Sequence, residues 1–162
     1  MDQLTIMQWN MNGFHARYSE LRMYLSSHDI DVICLQETRL CTSALSTMPG
    51  YTIIRKDRPK GTAGGIAILI KTGLNYQELI SSRKLECQQI QLKISNTTID
   101  IINVYIPPSE KLAETDIEDA FVDGNSIILG DFNAKSPRWG SNKTCSRGRL
   151  IEKFIDRHNI VI

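Results

Sequence analysis

A chain of 162 residues fits one domain, which can bury roughly 70% of the surface its unfolded form exposes, and its 41% apolar and 23% charged content excludes disordered, collagen-like and fibrous classes. The net charge of +1 excludes whole-molecule basicity as a reason to bind polyanions, so any such affinity must come from local asymmetry. The longest apolar stretches, such as Ile66 to Ile70, fall far short of the ~20 residues that span a bilayer, and no membrane partner is expected.

Met1-Asp2-Gln3-Leu4-Thr5 has neither the positive start nor the apolar stretch of a secretory signal, so an intracellular chain is expected. Cys34, Cys41, Cys87 and Cys145 form no C-x-x-C pair. That spacing reads as neither a zinc site nor a redox motif, and Cys34 is placed in the core.

Leu4 to Trp9 reads as a strand ending in the turn-forming run Asn10-Met11-Asn12-Gly13. Tyr18, Leu21, Tyr24, Leu25 and His28 recur at helical spacing. Val32 to Leu35 is short and continuously apolar, as a strand covered on both faces would be, and runs into Gln36-Glu37-Thr38. Strand, helix and strand in this short span suggest a βαβ-like unit, whose strand ends are where ligands gather. Tyr51 to Arg55 and Ile66 to Ile70 read as two more strands, joined by a Gly- and Pro-rich segment from Asp57 to Gly65.

Ile90, Leu92 and Ile94 alternate with polar neighbours, and Ile99 to Ile106 is largely apolar until Pro107-Pro108 stops it. Residues 110 to 123 read as a short helix with an acidic outer face, and Ser126 to Leu129 as a buried strand ending in Gly130-Asp131-Phe132-Asn133. Leu150, Ile151, Phe154 and Ile155 mark a last helix from about Gly148 to His158, and Ile160 to Ile162 starts one more strand. No repeat or linker interrupts the sequence. Residues 1 to 162 therefore read as one mixed α/β domain.

Three strand ends thus present Asn10 with Asn12, Glu37, and Asp131 with Asn133, a hard-oxygen set with no His or Cys near it in sequence. Such donors suit Mg²⁺ better than Zn²⁺. Each alone is also what an ordinary solvated turn looks like, and Tyr105 alone reads as a core aromatic. Charge is segregated as well: Lys135, Arg138, Lys143, Arg147 and Arg149 lie between Asp131 and Glu152 with no carboxylate among them, while Glu110, Glu114, Asp116, Glu118, Asp119 and Asp123 crowd the preceding stretch. A solvated face explains this pattern as readily as a phosphate-binding one.

Taken in order, Gln8-Trp9-Asn10-Met11-Asn12-Gly13, Leu35-Gln36-Glu37-Thr38, Asn103-Val104-Tyr105-Ile106-Pro107-Pro108 and Gly130-Asp131-Phe132-Asn133-Ala134 resemble the successive motifs of the endonuclease/exonuclease/phosphatase superfamily. Trp139-Gly140-Ser141 and Arg147-Gly148-Arg149-Leu150 narrow the resemblance to the apurinic-type endonuclease domains of jockey-like non-LTR retrotransposons. The resemblance implies a four-layered α/β sandwich of two facing mixed sheets flanked by helices. It also implies a Mg²⁺-dependent DNA endonuclease, with Mn²⁺ an alternative ion.

Glu37 would be the main metal ligand, helped by Asn10. Asp131 would activate the attacking water, Asn133 would stabilise charge on the phosphoryl oxygens, and Tyr105 would hydrogen-bond the same phosphate. Asn12, Arg138, Lys143 and Arg147 would contact substrate, with Arg55, Lys56, Arg58 and Lys60 as further phosphate contacts. DNA and a reverse transcriptase domain in the parent polyprotein are the implied partners, and the nucleus the implied compartment. The family pattern ends in further strands and a Ser-Asp-His motif that this sequence lacks, so weak or absent activity and an exposed apolar sheet edge are expected. Two other readings stay open: a non-catalytic remnant that binds nucleic acid, and another phosphoesterase of the same superfamily.

Overall fold

A computed structural model describes residues 3–59, 63–79, 85–120 and 124–162. In chain order the described residues form β1 (Ile6–Asn10), α1 (Phe14–Leu25), β2 (Val32–Gln36), β3 (Tyr51–Lys56), β4 (Ile66–Lys71), β5 (Tyr76–Leu79), β6 (Glu86–Ile94), β7 (Thr97–Tyr105), α2 (Glu114–Ala120), β8 (Ser126–Asp131) and α3 (Ser146–His158), with a 3₁₀ turn at Pro137–Trp139. One sheet has the order β1-β2-β4-β3 and the other β5-β6-β7-β8. Each is mixed: β1 pairs parallel to β2 and β7 parallel to β8, and the remaining neighbours are antiparallel.

Alternation along the apolar strands explains the layering. Because successive side chains point to opposite faces, Ile33 and Leu35 of β2 join Phe14 and Leu21 of α1 in one core, while Val32 and Cys34 turn the other way. There they meet Ile68, Ile70, Ile90, Leu92 and Ile101 in a second core shared by the two sheets. Ile102 and Val104 leave the opposite face of β7 and pack with Cys87, Ile106 and Ala120 of α2. The result is helix, sheet, sheet, helix, the four-layered α/β sandwich that the resemblance implied. Continuous apolarity in β2 is likewise accounted for, since all five of its residues are buried.

A buried polar link crosses between the sheets. The fully buried Asn103 donates to the Leu35 carbonyl at 3.1 Å and the Ala67 carbonyl at 3.0 Å, and its Oδ1 accepts from Gln36 Nε2 at 2.7 Å. Gln8 in turn donates to Gln36 Oε1. An unpaired polar group here would cost about 1–3 kcal/mol, so the network fixes how β2 and β4 sit against β7, one residue before Glu37.

Four differences from the sequence reading have physical causes. Helix α1 begins at Phe14, earlier than its apolar spacing indicated, and ends at Leu25, leaving His28 outside it and stacked on Tyr24 with ring centroids 4.0 Å apart. Helix α2 covers only Glu114–Ala120; Asp116 is buried and accepts from the Ala113 amide at 2.9 Å, a helix-start contact, and residues 121–123 lie outside the described residues. Strand β5 went unread because Tyr-Gln-Glu-Leu carries a weak alternation. Ile160 to Ile162 forms no strand: α3 stops at Asn159 in the left-handed region, and Val161 and Ile162 are exposed. Beside the outer edge of β8 runs an apolar groove of about 760 Å³ lined by Ile127, Phe132, Trp139, Ile151, Phe154 and Val161, among others.

Candidate active site

Strand register delivers the polar tips in pairs. Asn10 ends β1 opposite Gln36, one residue before Glu37, and Tyr105 ends β7 opposite Asp131 of β8. Since the two sheets face each other, the tips converge. The Asn10 side-chain amide donates to Glu37 Oε1 at 3.0 Å and to Asp131 Oδ2 at 2.7 Å, joining carboxylates from both sheets. Tyr105 Oη donates to the same Glu37 oxygen at 3.0 Å, and Asp131 Oδ1 accepts the Asn133 backbone N–H at 2.9 Å. The Asn133 side chain gives one N–H to the Ile106 carbonyl at 3.1 Å.

The backbone bends sharply to make this arrangement. Asn12, Glu37 and Asn133 have φ of +48°, +51° and +47°. Asn tolerates that region, whereas Glu pays about 1–2 kcal/mol for it. Strain of this kind gathers where a side chain must be aimed. At Gly130 the backbone (φ +150°) runs so close to β7 that an added Cβ would sit 1.9 Å from the Val104 carbonyl oxygen. That is the physical reason glycine precedes Asp131.

Burial pushes the Glu37 carboxyl up, but hydrogen bonds from Asn10 and Tyr105 and the nearby Arg39 charge outweigh it and leave it below its ordinary value. Arg39 Nη2 stands 3.6 Å from Glu37 Oε2. Tyr105 moves the other way, up to about 12, through burial first and then its bond to Glu37 and the charge of that carboxylate. At neutral pH the pair is therefore a carboxylate receiving a bond from an intact phenol. Arg58 lies over the Tyr105 ring, 5.7 Å from its centroid.

The two half-enclosed carboxylates, with no thiolate or imidazole beside them, fit a hard divalent cation, and Asn10, whose N–H groups face both carboxylates here, would join as a ligand by turning its Oδ1 toward them. Among the described residues no group of three or more His, Cys, Asp and Glu gathers to hold a metal. An ion here would thus keep most of its water, as Mg²⁺ commonly does when one or two carboxylates hold it. The three histidines are elsewhere: His15 beside Phe14, His28 on Tyr24 and His158 on Phe154.

Asn10, Glu37, Tyr105, Asp131 and Asn133 are brought together; the predicted substrate contacts scatter. Asn12 is exposed beside the cluster, its backbone N–H 3.3 Å from Asn10 Oδ1. Lys143 lines an open groove of about 770 Å³ that begins at Asn133 and also includes Lys111, Lys135 and Glu110. Arg138 pairs with Asp156 at 2.7 Å on the outside of α3. Arg147 turns inward onto backbone carbonyls.

Of the further basic residues, Arg55 is held by Asp57, Ser46 and the Ala44 and Cys41 carbonyls, and Arg58 by Glu86 and the Ala63 carbonyl. Lys56 reaches the Cys87 carbonyl at 3.4 Å, and Lys60 lies outside the described residues. Partners 28 residues apart, such as Arg58 and Glu86, leave no local trace in the sequence. Arg39 was missed too, although its place just after Glu37-Thr38 was the available signal.

A family model described as the endonuclease/exonuclease/phosphatase family matches residues 7–159. The RNA-directed DNA polymerase from mobile element jockey of Drosophila melanogaster is 35% identical over 157 residues, covering 94% of this chain, and its Drosophila funebris counterpart is 30% identical over 152 residues, covering 91%. The chain spans only 17% of the length of each. Among solved structures, the endonuclease domain of TRAS1, a telomere-specific non-LTR retrotransposon, superposes with a TM-score of 0.80 at 16% identity, over 95% of this chain and 71% of that one. The AP endonuclease LMAP from Leishmania major gives 0.74 at 16% identity, over 96% and 67%. With ordered motifs, a two-sheet sandwich and a converged cluster of strand-end oxygens all in agreement, the chain belongs to the endonuclease/exonuclease/phosphatase family, with jockey-like retrotransposon proteins among its relatives.

Proposed function

We propose that this chain is the Mg²⁺-dependent, DNA-nicking phosphodiesterase portion of a non-LTR retrotransposon protein. The observation that carries the reading is the one Asn10 amide shared by Glu37 and Asp131, at 3.0 and 2.7 Å, which gathers two carboxylates from different sheets at one spot. The Asn10 N–H groups and the Arg39 guanidinium offset the repulsion between these carboxylates here, and a divalent cation beside them would do so more strongly. Glu37 with Asn10 would hold Mg²⁺, or Mn²⁺ in its place. When bound, the ion supplies Lewis-acid polarisation of the scissile phosphate.

The chain's own groups do the rest. Asp131 orients the attacking water and takes its proton as the new P–O bond forms; the bond to the 3′ oxygen breaks, and that oxygen takes a proton from solvent water. Asn133 has a second side-chain N–H to offer the charge building on the phosphoryl oxygens; the phenol of Tyr105 stays protonated, and its one O–H, held by Glu37 here, would donate to the phosphate by leaving that carboxylate. Asn12 and Lys143 contact flanking phosphates, Lys143 from the groove that leads away from Asn133. The nick leaves a 3′-hydroxyl that primes a reverse transcriptase domain of the parent protein, in the nucleus. With all three histidines elsewhere, turnover by this chain is slow.

Supercoiled plasmid incubated with the protein should be nicked slowly in Mg²⁺ and not in chelator. Glu37→Gln and Asp131→Asn should each lower the rate at least about 100-fold. Salt-sensitive DNA binding without any cleavage, or preference for a phosphoinositide over plasmid, would overturn the reading.

A further inference from the structure

The Arg147-Gly148 pair has no role in the chemistry above, yet its geometry is specific. Arg147 sits in the first turn of α3. Its Nη1 donates to the Phe132 carbonyl at 2.8 Å and the Asn133 carbonyl at 3.3 Å; its Nη2 donates to the Pro107 carbonyl at 3.0 Å and the Pro108 carbonyl at 3.4 Å, and also meets the Glu110 carbonyl. Those five oxygens belong to two segments. One follows β7 and carries Tyr105 at its start; the other follows β8 and carries Asp131 and Asn133.

Past the strand ends, two hydrogen bonds join the segments directly: Ile106 N–H to the Asp131 carbonyl at 2.9 Å, and the Asn133 side chain to the Ile106 carbonyl at 3.1 Å. Pro107 and Pro108 have no N–H to add another. The guanidinium is the main cross-link between them, and its planar fork can reach diverging carbonyls in a way that a single ammonium cannot.

Helix α3 is itself fixed against the second segment. Cys145 N–H donates to the Lys135 carbonyl at 3.0 Å, and Cys145 Sγ accepts from Lys135 N at 3.2 Å. A Cβ on Gly148 would lie 2.0 Å from the Lys135 carbonyl oxygen. Glycine is what lets the helix approach closely enough for Arg147 to reach across.

We infer that Arg147 is a positioning residue rather than a phosphate ligand: it holds the segment bearing Asn133 at a set distance from the one bearing Tyr105. To reach a phosphate it would have to release several of its carbonyls. This inference rests on the phosphodiesterase reading above.

The test is Arg147→Lys, which keeps the charge and loses the fork. Displacements of about 1 Å at a reacting centre cost on the order of 100-fold in rate, so the plasmid-nicking kcat should fall about 100-fold while KM changes little. For Arg147→Gln, which removes the charge, the slope of log affinity against log salt should be unchanged, because losing one phosphate contact would lower it by about 0.9. A retained kcat, or a fall in KM-linked affinity with a shallower slope, overturns the positioning role. A second measurement uses the native sequence and needs neither cleavage nor a variant: the ¹⁵N-arginine spectrum during titration with a DNA oligonucleotide. The Arg147 Nε signal should not shift; a shift on binding would assign it to the phosphate and overturn the proposal. Nicking by the unaltered chain fails only if the phosphodiesterase reading is wrong, so the two failures are separable.

Discussion

Glu37 shows how much the chain spends on aiming one side chain. It adopts a left-handed backbone at φ +51°, costing about 1–2 kcal/mol, and in return its carboxylate receives bonds from Asn10 and Tyr105. The presence of polar residues at the strand tips could be read from the sequence, because each follows a short apolar run. The backbone strain and the inward turn of Arg147 could not, since they depend on how segments far apart in the chain pack, whereas Arg39 was a local signal left unread. The electrostatics give a signed prediction. Burial raises the Glu37 carboxyl and its hydrogen bonds more than offset that, so Asn10→Ala, which deletes one such bond and leaves the burial, should raise its pKa. A depressed folded-state pKa contributes stability that is present above the ordinary carboxylate value and is lost as pH falls through the folded one. Carboxyl-carbon NMR titration should place the Glu37 midpoint below 4.5 in the native chain and higher in the variant; equal midpoints would refute the assigned cause.

Elements matter here chiefly for where they end. The parallel pairing of β1 with β2 and of β7 with β8 sets Asn10 opposite Gln36 and Tyr105 opposite Asp131, so two registers bring three site residues into line, with Glu37 next after Gln36. Strongly apolar strands such as β2 and β4 were legible because burial on both faces demands that composition. The short β5, with only its outer pattern to mark it, was not. Nor could Ile160 to Ile162 be read correctly, since apolar β-branched residues look like a strand whether or not a partner strand is there to pair. Close approach of β8 to β7 makes Gly130→Ala a test at this scale. The added Cβ would meet the Val104 carbonyl oxygen at 1.9 Å, and overpacking plus an unfavourable backbone should cost about 2–4 kcal/mol. For a domain of this size a 3 kcal/mol loss lowers Tm by roughly 6–12 °C, measurable by calorimetry; an unchanged Tm would mean that the two strands are farther apart than described.

At the scale of the whole molecule, two facing sheets bring their strand ends to one edge, which is why residues as far apart as Asn10 and Asp131 share a hydrogen bond. The α/β class was legible from the alternation of short strands and helices, and the four layers from the family resemblance. The way the basic stretch divides, with Lys143 in a groove beside Asn133, Arg138 on an outer ion pair and Arg147 on carbonyls, needed the folded chain. The central claim is that the two sheets together set a cation site, Glu37 with Asn10, beside the Asp131 carboxylate. Titration with Mn²⁺ followed by water-proton relaxation tests it most directly, because it requires no catalysis. The account predicts one ion per chain, displaced by Mg²⁺, and bound at least about tenfold more weakly by Glu37→Gln; Mn²⁺ binding that is unaltered by that substitution would contradict it.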